Sequence, residues 1–132
     1  MTGREEEILA QGETIIGDDV VASIAGMAAK EVEGVAGLGK SAVRRALAEY
    51  MGGTGEKSRV GVAVEVGKKE AIVDLQLSVI YGFNIPTLVN EVRKKVAMRL
   101  LEITGLIAKE INLRVVSVEF HEKKLEKITK VE

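Results

Sequence analysis

The 132-residue chain contains no cysteine and no tryptophan, one proline, one histidine, and only two tyrosines and two phenylalanines. Without cysteine there can be no disulfide, no thiolate metal site and no cysteine nucleophile, and a reducing compartment is the natural expectation. A catalytic or zinc-binding histidine needs partners at defined spacing, and His121 has no second histidine to work with. It is expected to be a solvated surface residue. Long apolar runs are missing as well. No stretch approaches the ~20 residues needed to span a bilayer, and the charged opening "MTGREEEILAQGE" is unlike a signal peptide. The expectation is a soluble, cytoplasmic chain with no direct membrane insertion. Nor is there an excess of one charge. Nineteen basic residues stand against twenty acidic ones, a net charge of −1, whereas a nucleic-acid binder usually presents a positive field.

What remains is aliphatic. Hydrophobic residues make up 46% of the chain while aromatics make up 3%, so the core must be built from Val, Ile, Leu and Ala. The length suits one domain, expected over 13–120, with a flexible N-terminus (1–12) and a charged tail (121–132) in which Leu125 and Ile128 suggest a frayed helix.

Periodicity supplies the elements. "ETII" (13–16) reads as a short strand. A helix follows, with Asp18 or Asp19 as its cap, Val20, Val21, Ile24, Ala25, Ala28 and Val32 as its buried stripe, and Gly34 at its end. "GVAGLGKS" is a short strand or loop, and 41–51 forms a second, shorter helix. Val60, Val62, Val64 and Val66 alternate with small or polar residues. Beyond the turn "GKKE", Val73, Leu75, Leu77, Val79 and Tyr81 do the same, which predicts an antiparallel hairpin. A long helix then runs from a cap at Asn84, with Pro86 in its first turn, to Gly105, and buries Ile85, Leu88, Val89, Val92, Val96, Leu100 and Ile103. The last strand (110–120) changes phase between Val115 and Val116, the signature of a β-bulge. The order is (β)α(β)αββαβ: an α+β two-layer sandwich, an antiparallel hairpin plus further strands covered by two or three helices.

The search for chemistry gives little. The serines lack the Gly-x-Ser-x-Gly setting of a hydrolase nucleophile. "GVAGLGKS" (34–41) satisfies the phosphate-loop pattern letter for letter. However, a helix precedes it where a buried parallel strand is required, and no magnesium-binding acid follows in an alternating β/α series. The corner "VIYGFNIP" gathers no acid, base or nucleophile and reads as a bend. On the long helix, Arg93, Lys94, Lys95 and Arg99 form a basic stripe from which Met98 and Leu101 project. Arg93, Lys94, Met98, Arg99 and Leu101 are therefore the candidates for partner binding. No catalytic, cofactor-binding or metal-binding residue is expected.

Together, "GETIIGDDVVASIAGMAAKEVEGVAGL", the Val-alternating strand and "VIYGFNIPTLVNEVRKKVAMRLLEITGLIAKEINLRVVSV" resemble the alkaline-shock-protein family of Gram-positive envelope stress proteins, over about 12–118. The residues that carry the resemblance are Gly34-Val35, Tyr81-Gly82, Thr104 to Leu106 and the "IN-L-V" of the last strand. It implies a non-enzymatic cytoplasmic protein that accumulates near the membrane. Such a protein self-assembles into a homo-oligomer, is held by an integral membrane partner and carries no cofactor. A small RNA-binding module using the basic face of the long helix is the alternative reading.

Overall fold

The computed structural model describes residues 10–39 and 61–121. Two helices, α1 (Asp18–Lys30) and α2 (Ile85–Thr104), lie against a sheet of four strands: β1 (Val35–Leu38), β2 (Val62–Val66), β3 (Glu70–Ile80) and β4 (Ile107–Glu119). The α+β class and its element order agree with the sequence. The expected helix over 41–51, the tail beyond 121 and the residues Val60, Lys40 and Ser41 lie outside the described residues.

β3 is the centre of the sheet. β2 pairs with its first half, Val62 opposite Leu75 through Val66 opposite Ala71. β1 pairs with its second half, Leu38 opposite Leu77 and Val35 opposite Val79. Both pairings are antiparallel, so β1 and β2 lie end to end along one side of β3. They meet at Gly39 and Gly61, which bond on either side of one residue: Gly39 N–H donates to the Gln76 carbonyl, and Gln76 N–H to that of Gly61. Along its other side β3 pairs with β4 in parallel, from Glu70 opposite Ile107 to Ile80 opposite Glu119. Helix α2 is the crossover that a parallel pair requires.

One face of the sheet and the inner faces of both helices form the core. Val73, Leu75, Leu77 and Val79 of β3 pack with Val21, Ala25, Ala28 and Ala29 of α1 and with Leu88, Val92, Val96 and Leu100 of α2. α1 approaches closely because its inner face is made of small residues. At Gly26 an added Cβ would stand 3.0 Å from Leu38 Cδ1 and 3.5 Å from Val62 Cγ2. The helix thus sits over the junction of β1 and β2. Asn84 caps α2 by accepting from Thr87 N–H at 3.0 Å, and Gly105 ends it in the left-handed region at φ 78°.

Several expectations are corrected. Residues 13–16 form no strand. They lead into α1 without regular structure, with Ile16 packed on the core and Ile15 exposed. Gly17, and neither aspartate, occupies the N-cap of α1, while Asp18 and Asp19 fall in its first turn, where carboxylates favour the helix dipole. Val20, Tyr81, Ile85 and Ile103 are exposed. Tyr81, Ile85 and Ile103 lie at or just beyond the ends of their elements, whereas Val20 lies beside the fully buried Val21 and Ala22 and projects from another side of α1. Strand β4 begins at Ile107, earlier than expected. The bulge expected near Val115 and Val116 is present, with Val116 the extra residue, and a second bulge at Lys109 accompanies it.

Candidate functional site

The five residues singled out on α2 do not form one patch. Lys94, Met98 and Leu101 recur at helical spacing on the outer ridge, and Met98 and Leu101 are both more than half exposed. The two arginines lie on opposite flanks and are tied to the body of the protein. Arg99 bridges Glu31, one residue past α1, at 3.1 Å and Glu102 at 3.1 Å. Hydrogen bonding to Glu31 first, and to Glu102 second, raises its pKa above the ordinary guanidinium value. Lys95 stands 3.8 Å from the same Glu31. Arg93 turns the other way. Its Nε donates to the backbone carbonyl of Ile111 on β4 at 3.3 Å, and Nη1 donates to Asn90 Oδ1 at 3.1 Å. Of the four cations that read as a stripe, three are engaged with groups of the same chain, and Lys94 is exposed on the ridge. A phosphate-tracking face needs cations that are available to the ligand.

The phosphate-loop match is structural up to Gly39. Val35–Leu38 is a strand of the sheet. Gly39 N–H donates to Gln76, and its carbonyl accepts from the buried Ser78 hydroxyl at 2.6 Å. Gly39 N–H, one of the backbone donors that would cradle an anion, is committed to the ladder. Gly34 serves the corner after α1: at φ 104° an added Cβ would sit 2.8 Å from the Phe83 ring.

Two features at the ends of the sheet escaped the sequence reading. Tyr81 and Phe120 stack with ring centroids 4.9 Å apart where β3 and β4 end, and next to them His121 Nε2 lies 3.5 Å from Glu119 Oε1. Among the described residues no nucleophile joins that pair. At the opposite end an open recess of ≈ 610 Å³ is lined by Glu13, Ile16, Val66, Lys68, Lys69 and Leu106, among others. Its lining holds no histidine, serine or cysteine to work with the charged groups. Among the described residues no cluster of His, Asp and Glu could hold a metal ion, and no helix is long and apolar enough to cross a membrane.

The surface best equipped to meet another macromolecule is the outer side of β4. Among the described residues no strand pairs with it, so apart from the Ile111 carbonyl, which Arg93 engages, its backbone presents the donors and acceptors of an edge strand. The sequence carried a signal for this: a strand, a long helix and a strand imply a parallel crossover. The final strand then lies wherever that crossover delivers it.

Comparison with known proteins gives a consistent answer. The alkaline shock protein family, described as having a cell envelope-related function, matches residues 6–120. The chain is similar to a protein named stress response regulator gls24 homolog in Streptococcus pyogenes, found in serotype M3 and serotype M28 strains among others. The identity is 30% over 121 residues, which cover 92% of this chain and 66% of the relative. It is likewise 30% identical over 112 residues to the uncharacterized protein YqhY of Bacillus subtilis, covering 85% of this chain and 81% of that one. The chain thus spans just under two thirds of the length of the streptococcal relatives. No solved structure matches.

Proposed function

Because the chain belongs to the alkaline shock protein family, with its cell envelope-related function, we propose that it is a non-catalytic interaction protein of the envelope stress response. In this reading it self-associates and is held at the inner face of the membrane by an integral membrane partner. The stress role follows the printed name of the streptococcal relatives. The observation that supports self-association is the 13-residue edge strand β4, with which no other strand among the described residues pairs on its outer side and whose outward backbone could take a further strand. In this reading a membrane-embedded partner holds at the bilayer a chain whose described residues include no helix long and apolar enough to cross it. An apolar ridge of two side chains, Met98 and Leu101, is too small to hold a protein on a lipid surface by itself.

Sedimentation equilibrium of the full chain, together with affinity capture of the tagged protein from detergent-solubilised membranes, tests both halves. Concentration-dependent association and co-purification of one integral membrane protein in stoichiometric amount are expected. A strict monomer, or a membrane fraction that yields no stoichiometric partner, would overturn the corresponding half.

A further inference from the structure

The hydrogen bonds of β3 establish which way each residue of β4 faces. The even-numbered residues of β3 serve the β1–β2 side: Ile80 N–H donates to Gly34, Gln76 N–H to Gly61, and the Glu70 carbonyl accepts from Gly67. The odd-numbered ones therefore serve β4, as Tyr81 N–H to Glu119 and Ile107 N–H to Lys69 show directly. In a parallel pair, the residue opposite an even position turns both its backbone groups inward. Glu110, Asn112 and Arg114 stand opposite Ile72, Asp74 and Gln76. Their N–H and C=O groups are used within the sheet, and those of Ile111 and Leu113 point out from the edge. The bulges at Lys109 and Val116 bracket this regular stretch and interrupt pairing on either side of it.

Within the stretch between the bulges (110–115), the five residues Glu110-Ile111-Asn112-Leu113-Arg114 are complementary to themselves when reversed. An antiparallel second copy centred on Asn112 sets Ile111 opposite Leu113 of the partner, the geometry in which outward N–H and C=O groups are exchanged. It also sets Glu110 opposite the partner's Arg114 and, by symmetry, Arg114 opposite the partner's Glu110. Opposite charges directly across a strand pair stabilise it, and like charges oppose it. Ile111 is buried and Leu113 packs on the core, so their meeting across the seam continues the apolar layer.

One group stands in the way. The Ile111 carbonyl, an outward acceptor in the middle of this stretch, already receives the Arg93 guanidinium at 3.3 Å. That length is at the weak end for an N–H···O bond, so the contact is readily exchanged for an incoming N–H. Resting on the self-association reading above, we propose that a second copy of this chain pairs with β4 antiparallel across a two-fold axis at Asn112, and that Arg93 is the latch that must leave the Ile111 carbonyl for the pair to form. The isologous contact closes as a dimer and joins the two sheets into one, with α1 and α2 of both copies on the same side.

Sedimentation equilibrium of four full-length proteins tests this, with circular dichroism confirming that each is folded: wild type, Arg114→Glu, the swapped pair Glu110→Arg with Arg114→Glu, and Arg93→Ala. Arg114→Glu sets two like-charge pairs across the seam and is expected to weaken dimerisation on the order of tenfold. The swap restores it, and Arg93→Ala tightens it beyond wild type. Amide exchange supplies a second readout: Ile111 and Leu113 gain protection on dimerisation, whereas Asn112, bonded within its own sheet, is protected in both states. If the chain associates but Arg114→Glu and the swap match wild type, this register is wrong and self-association stands. If wild type and Arg93→Ala are both monomeric at every concentration, self-association falls and the pairing with it. An Arg93→Ala protein that dimerises no better than wild type removes the latch.

Discussion

Replacing Gly61 with alanine places a methyl group where β1 ends and β2 begins. Gly61 has φ 78°, and a Cβ built there would stand 2.5 Å from Gly39 N and 3.1 Å from the Gln76 carbonyl oxygen. Two costs follow. The left-handed backbone costs a residue with a Cβ about 1–2 kcal/mol. The overlap is with backbone atoms held in the ladder, which cannot swing aside as a side-chain tip would, and overpacking of this kind costs about 1–3 kcal/mol more. Gly105 separates the two contributions. It also has φ 78°, but nothing lies within 4 Å of its added Cβ, so Gly105→Ala carries the backbone cost alone. Urea unfolding followed by far-ultraviolet circular dichroism, at a protein concentration low enough to keep the chain monomeric, reads both as midpoint shifts at constant slope. Gly61→Ala is expected to lose about 1–3 kcal/mol more than Gly105→Ala. If the two variants lose the same amount, the two strands do not meet at this point and the end-to-end arrangement is wrong.

Two further predictions use the same measurement. Ser78 is fully buried, and its hydroxyl serves both the Gly39 carbonyl and the Ser117 hydroxyl at 2.6 Å. Ser78→Ala leaves both without that partner and should cost about 1–3 kcal/mol, with a smaller loss for Ser117→Ala because that end of the bond is only half buried. Asn84→Ala removes the acceptor for Thr87 N–H and should cost roughly 1 kcal/mol, whereas Asn84→Asp should retain most of the stability.

Alternation and helical spacing reveal which face of an element is buried, and here they located the core face of β2, of β3 and of the middle of each helix. The Val62-Val64-Val66 and Val73-Leu75-Leu77-Val79 sets face the core, and the Asn84 cap, Pro86 and Gly105 bound α2. The phase change at Val115 and Val116 located a bulge because an extra residue leaves its mark in the alternation. Spacing does not reveal how far the opposing layer extends. Tyr81 and Ile103 continue their stripes in sequence, but β3 ends at Ile80 and Ile103 is in the last turn of α2, and both side chains meet solvent. Pairing direction was also hidden in part. A Val-rich strand looks the same whether its neighbour runs with it or against it, and only the intervening helix argues for the parallel arrangement. The basic stripe on α2 misled for a different reason. A helical projection shows adjacency along one element, whereas Glu31 and the Ile111 carbonyl, which engage Lys95, Arg99 and Arg93, come from other parts of the chain. The family resemblance was legible from motif order alone, and residues 6–120 bear it out.

The absence of cysteine makes one direct measurement of the β4 pairing clean. In the pairing centred on Asn112, the two copies of that residue face each other as a non-hydrogen-bonded pair with Cα atoms about 4.5 Å apart, within the span a disulfide bridges. Under mild oxidation Asn112→Cys should convert to a covalent dimer at concentrations where the wild type associates, while Lys94→Cys, on the outer ridge of α2, should remain monomeric on a non-reducing gel. An Asn112→Cys chain that stays monomeric there, or a Lys94→Cys chain that cross-links equally well, would contradict edge-to-edge assembly through β4.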